Sequence, residues 1–377
     1  MKKILLVANV AKEHVLKFHI PTIKALIENG WQVDVACGGK EDIPYCHKKN
    51  ELPIDRSPFK THFVKAIRQL RIIIKNEKYD VVYCHTSVGA TVARLAAYSF
   101  RRKGTKIVKF AHGTYFYKGA PIYNWLFYPL YKMLSWVTDA IITITQEDYK
   151  FSKRHFSHAT IYYVPGIGVD PARFVVNNPI QVRIDYRKKL SIPSDAIVLI
   201  YTAELIKNKN QQMLMDALKL VLENNPNTYL LLVGPDHTNG EYEKYAKESG
   251  LWEHIRFLGW RKDIAELYIV SDICTASSIR EGLGLNIIEA ITCGLPVIAT
   301  NNSGHRAIIE NDVNGILVTP NDVENFAKKI NLLIKEPQIR KKLADNAMQN
   351  VEKYYNENVL KQILKILNSQ LTDKVSE

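Results

Sequence analysis

The stretch REGLGLNIIEA, beginning at Arg280, sets two carboxylates, Glu281 and Glu289, eight residues apart around the glycines Gly282 and Gly284. An apolar run at residues 272–276 reads as a strand and helical periodicity resumes at Leu285, so the glycine-rich segment is a strand-to-helix turn. The N-terminus of such a helix presents free N–H groups and the positive end of its dipole, which together favour a phosphate. The glycines Gly282 and Gly284 allow backbone to approach that anion closely. A carboxylate beside a phosphate is repulsive unless it has other work, and accepting paired hydrogen bonds from vicinal hydroxyls is such work. Glu281 and Glu289 are therefore expected to hold two polyols on either side of a diphosphate, the layout of a nucleotide-sugar. A solvated loop glutamate and a helical salt bridge would explain either residue alone, but explain the pair with its glycines less well.

The elements that must present this turn follow from the rest of the chain. Short β-branched runs alternate with amphipathic helical segments, the signature of parallel α/β sheets. Strands are expected at residues 4–9, 32–37, 81–85, 107–112, 140–145 and 161–164, with helices at 20–28 and 63–75. After VPGIGVDPARF, a proline- and glycine-rich break, a second series begins. Its strands are expected at 197–203, 229–233, 255–258, 272–276 and 297–300, and its helices at 211–223, 264–269 and 285–292. The fold class is α/β, with two Rossmann-like, doubly wound domains: residues 1–175, residues 176–355, and a terminal helix at 356–377 packing back on the first. A ligand is expected in the crevice between the two.

Composition narrows the setting. A chain of 377 residues, 46% hydrophobic and 24% charged, is ordinary globular protein and long enough for two cores. Its five cysteines are scattered with no CxxC pair, which points to a reducing compartment without a disulfide framework or structural zinc. The apolar run after Lys2 and Lys3 ends at Lys12 and Glu13, so it reads as a first strand and not a signal peptide. No uninterrupted apolar stretch is long enough to span a bilayer. Residues 1–175 hold 27 Lys and Arg against 13 Asp and Glu, whereas residues 176–377 hold 24 against 25. All the basic excess lies in the first half, which is expected to meet something anionic.

EGLGLNIIEAITCGLPVIATNNSG resembles the Glu-x7-Glu segment of the retaining, GT-B-fold glycosyltransferases of family four, the glycosyl transferases group 1. AELIKNKNQ, from Ala203, is similar to that family's glycine-arginine-leucine…lysine loop. LLLVGPD, RFLGWRKDIAELY and NGILVTPNDVENFAKKI resemble its later segments. In the first half, AHGTYFYKGAPIYNWLFYPLYKMLSWVTDAIITITQEDY and YYVPGIGVD resemble a subgroup working in bacterial exopolysaccharide and capsule assembly. The likeness runs over nearly the whole chain.

The resemblance implies transfer of a hexose or N-acetylhexosamine, with retention of configuration, from a nucleoside diphosphate, UDP foremost, to a lipid-linked or growing glycan. It places Glu289 on the ribose hydroxyls, Glu281 on the donor sugar with the amides of Gly282, Leu283, Gly284 and Asn286 beside sugar and diphosphate, and Lys209 on the diphosphate as it leaves. Glu204 stands where many members carry an arginine on the diphosphate, with Lys207 as the substitute cation. His112 matches a histidine near the donor sugar. His14, His19 and Lys118 are the expected acceptor contacts. The chain has no Asp-x-Asp motif and no His, Cys or carboxylate group with ligand spacing, so no metal and no cofactor is expected.

Two segments of the basic half suggest an acceptor on an anionic membrane surface. Residues 62–78 carry Phe63, Ile67, Leu70 and Ile74 on one helical face, and residues 114–136 are rich in aromatics with lysine as their charge. No nucleic-acid module is visible. The expected location is cytoplasmic, peripheral on the inner face of the membrane. Two rivals stand: a nucleotide-sugar epimerase of the same fold, and a non-catalytic homologue supporting another transferase, for which Glu204 is the foothold.

Overall fold

The computed structural model describes residues 1–54, 62–117 and 120–372. The chain divides into two units, Met1–Gly168 joined by Asn356–Glu377, and Val169–Tyr355.

In the first unit, β1 (Lys2–Val10), β2 (Trp31–Gly38), β3 (Lys48–Glu51), β4 (Val81–Cys84), β5 (Lys106–Ala111), β6 (Ala140–Thr143) and β7 (Thr160–Tyr163) make one sheet. Its order is β3-β2-β1-β4-β5-β6-β7, and every pairing is parallel. Parallel neighbours require crossover helices, which is why both faces of the central strands are covered. Ile4, Leu5, Leu6 and Val7 of β1 are accordingly all fully buried. The chain runs outward in one direction from β1 and in the other from β4. The loops after those two strands therefore diverge and leave a crevice at their carboxyl ends.

The helix Phe63–Glu77 spends its apolar face on this core: Ala66, Leu70 and Ile74 are buried, with Phe63 and Ile67 packed against the same cluster. Of the two segments expected to meet lipid, this one is an ordinary core helix. The other keeps large apolar groups in solvent, among them Ile122, Tyr123, Leu126, Met133 and Trp136.

The second unit holds β8 (Ile197–Thr202), β9 (Thr228–Val233), β10 (Ile255–Gly259), β11 (Ile273–Ala276), β12 (Val297–Thr300) and β13 (Ile316–Val318). Their order is β10-β9-β8-β11-β12-β13, again parallel throughout. Here the order reverses between β8 and β11, so the loops at 203–210 and 277–284 face one another across that point.

The passage between units comes at Gly168, seven residues before the expected boundary. Val169 N–H donates to Tyr354 O at 2.9 Å and Phe174 is buried in the second core, which draws residues 169–175 into the second unit. Gly168 has φ +94°, and a Cβ there would lie 2.2 Å from Asn356 Oδ1 where the chain returns. The helix Asn356–Thr372 then packs on the first unit, burying Val359, Ile363 and Leu367. Among the described residues no helix is long and apolar enough to cross a membrane.

Candidate functional site

In the second unit, the loops after β8 and β11 are tied by one backbone hydrogen bond and two from side chains to backbone. Ile279 N–H donates to Asn208 O at 2.8 Å, Asn208 Nδ2 to Arg280 O at 2.9 Å, and Ser277 Oγ to Lys209 O at 2.9 Å. Gly234, at the end of β9, lets the first loop pass, since a Cβ there would sit 2.0 Å from Ala203 O. This stitching delivers Lys209 Nζ to within 2.5 Å of Glu281 Oε1, although 72 residues separate them. Both side chains are largely enclosed, 22% and 13% exposed, so the attraction is less screened than on an open surface. Ser278 Oγ donates to the same carboxylate oxygen at 2.6 Å, and the buried Tyr201 hydroxyl lies 2.7 Å from Ser278 Oγ. The expected diphosphate cation and the expected sugar carboxylate are therefore one ion pair, held from behind by a tyrosine and a serine.

Gly284 caps the helix Leu285–Thr292 with φ −77°, an angle open to any residue. A Cβ would meet Ile287 Cδ1 at 3.0 Å and His305 Cδ2 at 3.1 Å, so this glycine serves side-chain packing where the sequence suggested backbone approach to an anion. Gly282 and Asn286 lie half-buried either side of it, and Leu283 packs on the second core. His305 is fully buried, its Nδ1 2.7 Å from Thr300 O and its Nε2 without a partner among the described residues. Burial lowers it to about 4, so the ring is neutral near pH 7.

Glu289 lies one turn further along the same helix and is half-buried. Burial lifts its carboxyl to about 7, against the opposing pull of Arg173 and of the Tyr268 hydroxyl 3.3 Å away. Tyr268 is fixed in turn by Thr202 Oγ1 at 2.6 Å. The two glutamates thus have different surroundings, one charge-paired and one kept near neutrality.

Lys207 is exposed on the short turn Lys207–Lys209, whereas Lys209 on that turn points inward to Glu281. Glu204 is half-buried, its carbonyl accepting from Gln211 Nε2 at 2.9 Å. Lys118 lies outside the described residues.

In the first unit the structure gathers His14, His19 and His112 and adds His85 to them. One ring nitrogen from each lies within 4.8 Å of one from every other. His112 follows β5 and His85 follows β4, adjacent strands in the sheet. His14 sits in the π-turn Ala11–Val15 that leaves β1, and His19 just beyond it. Residues five apart on an α-helix diverge by about 140°, and the wider π-turn narrows that angle. His14 Nε2 lies 3.0 Å from His19 Nε2, and His85 Nδ1 3.3 Å from His112 Nε2. Burial pushes His14 down to about 4 and the other three well below the ordinary range, aided by their mutual repulsion. Thr86, directly after His85, has φ +61° and ψ 171°, a strained conformation of the kind that collects at functional sites. No ligand spacing is visible along the chain because these residues meet only through strand order.

Tyr201, Ser278, Tyr268, Arg173, His85 and His305 are the positions the sequence did not single out. His85 left one trace, as a histidine ending a strand just as His112 does. The others are ordinary core or loop residues until the sheet order is known.

Comparison with known proteins follows the same division. A family model described as "Glycosyl transferases group 1" matches residues 182–350, and one described as "Glycosyl transferase 4-like" matches residues 3–145. EpsD of Bacillus subtilis (strain 168), named as a glycosyltransferase, is 40% identical over 355 residues, covering 94% of this chain and 93% of that one. An Escherichia coli UDP-Gal:alpha-D-GlcNAc-diphosphoundecaprenol alpha-1,3-galactosyltransferase is 28% identical over 72% of this chain and 70% of its own. The crystal structure of HepE from Anabaena, in complex with UDP and glucose, superposes with a TM-score of 0.80 at 21% identity, covering 98% of this chain and 100% of that one.

Proposed function

Because the chain belongs to the glycosyl transferases of group 1, with the GT-B fold, we propose that it moves a hexosyl or N-acetylhexosaminyl group from a UDP-sugar to a polyprenyl-diphosphate-linked or growing glycan of a bacterial surface polysaccharide. The observation that carries this is the Lys209–Glu281 pair, set ahead of the helix N-terminus and followed by Glu289 on that helix. The UDP complex of HepE and the donor and acceptor in the name of the Escherichia coli relative support the choice of substrates.

In this reading the diphosphate lies at the N-terminus of Leu285–Thr292 and Glu289 accepts from the ribose hydroxyls. Lys209 turns from Glu281 toward the diphosphate as charge develops on the leaving group, where a fixed cation lowers the barrier. Ser278 and Tyr201 keep Glu281 in place for the sugar hydroxyls when the lysine leaves it. Lysine and helix dipole supply the positive charge, so the donor side needs no metal. Configuration at the transferred carbon is retained. The acceptor reaches the protein on the inner face of the cytoplasmic membrane, where the basic first half and exposed Ile122, Leu126 and Met133 meet anionic lipid.

The test is a panel of UDP-sugars incubated with the protein and anionic vesicles carrying polyprenyl-diphosphate-linked acceptors, following UDP release and product. Acceptor-dependent release, lost in Lys209→Ala and Glu281→Gln, with protein that co-sediments with the vesicles at low salt and not at high salt, is the expected outcome. Sugar isomerisation without acceptor, or no UDP binding at all, overturns the reading; equal sedimentation with neutral lipid overturns the membrane part.

A further inference from the structure

The donor-side steps above use none of the histidine cluster, in which resemblance alone set His112 at the donor sugar and His14 and His19 at the acceptor. We propose that His14, His19, His85 and His112 form a binding site for one divalent transition-metal ion of the Zn2+ class, at the carboxyl edge of the first sheet. Four nitrogen donors from three places in the chain, the turn after β1 and the ends of β4 and β5, converge within 4.8 Å of one another. A tetrahedral ion with Zn–N bonds of about 2.0–2.1 Å sets its donors about 3.3–3.4 Å apart. The His85–His112 contact at 3.3 Å already has that spacing and the His14–His19 contact at 3.0 Å is close to it. The wider separations, up to 4.8 Å, must shorten by up to about 1.5 Å for all four nitrogens to meet one tetrahedral ion.

The kind of donor selects the kind of ion. Four imidazoles without a carboxylate suit Zn2+, Co2+, Ni2+ or Cu2+ and not the oxygen-seeking Mg2+ or Ca2+. His85 is buried within the cluster, its ring centroid 4.0 Å from that of His19; its Nδ1 faces His112 and its Nε2 has no partner among the described residues. Tyr83 and Phe110 pack against His85 and Phe18 against His14, an apolar wall of the sort that shields a metal site. The position fits a ligand, for the cluster spans the ends of β1, β4 and β5, across the point where the strand order reverses. An ion there ties the π-turn after β1 to the two strands beside it. It is built from residues of the first unit alone, and its test does not depend on sugar transfer.

Tag-free, full-length protein is stripped with a chelator and titrated with Co2+ while its visible absorption is followed. One equivalent should produce the strong bands of a tetrahedral nitrogen site, and Zn2+ but not Mg2+ should abolish them stoichiometrically. Loss of an outer-shell partner alone costs 10–100-fold in metal affinity, so loss of a ligand is expected to cost on the order of 100-fold or more. His85→Ala and His19→Ala should lose the bands, while His158→Ala and His237→Ala, both exposed and outside the cluster, keep them. The half-buried His14 offers a gentler variant: His14→Gln should fold, shown by far-ultraviolet circular dichroism, yet lose the rise in Tm that Zn2+ gives the parent. No stoichiometric bands, or bands that persist in both His85→Ala and His14→Gln, overturn the proposal.

Discussion

Glu289 is a carboxyl poised near 7 on a helix that the sequence alone would fill with an ordinary ionised glutamate. Ribose hydroxyls donate as a pair to the ionised carboxylate and more weakly to the acid, so donor binding should strengthen as the pH rises through 7. UDP-glucose, whose diphosphate does not titrate there, should bind about tenfold tighter at pH 8 than at pH 6. Glu289→Gln should bind weakly with a flat profile, and a flat profile for the parent in isothermal titration would contradict the assignment. The same shifts act on stability with opposite signs. Glu289 is raised from 4.5, so the folded chain holds an extra proton between about 4.5 and 7 and loses that advantage as pH rises through this window. His14 and His305 are lowered from 6.5 to about 4, so the unfolded chain takes up protons first and stability falls as pH drops across that range. At this scale the sequence was legible where spacing carried the meaning, as in Glu281 and Glu289. It was silent on the Lys209–Glu281 bond and on the meeting of four histidines, because both depend on which strands become neighbours.

Among the elements, apolar strands and their crossover helices could be read because burial on both faces writes a continuous hydrophobic run. β3 was missed since its sequence, KKNE, is that of a lysine-bearing edge strand, and β13 because three residues carry no period. The loop at 203–210 was readable only by resemblance, and its position rests on Gly234. Gly234→Ala is expected to destabilise the second unit by about 2–3 kcal/mol and to raise the donor KM, because the methyl drives against Ala203 O. Gly250 also has positive φ, at +72°, but a Cβ there meets nothing within 4 Å, so Gly250→Ala should cost only about 1 kcal/mol. Urea unfolding of the two variants separates close approach from backbone conformation; equal losses would refute the role given to Gly234.

For the molecule as a whole, the two doubly wound units were expected, and the basic first half next to a neutral second half was plain from charge counts. The division itself was displaced, because the pairing of Val169 with Tyr354 joins residues far apart in the chain. That the chain leaves the first unit at Gly168 and re-enters it at Asn356 fixes an order of manufacture. The second unit is continuous in sequence and is complete as soon as Tyr355 has emerged from the ribosome. The first unit, though synthesised earlier, must wait for the last helix before Val359, Ile363 and Leu367 can cover its apolar surface, at about 2 kcal/mol for each side chain. A nascent chain exposed only as far as Tyr355 should therefore present a protease-resistant second unit and a protease-sensitive first one, and exposure of the final segment should protect both. Resistance of both units before that segment emerges would refute this sequence of events.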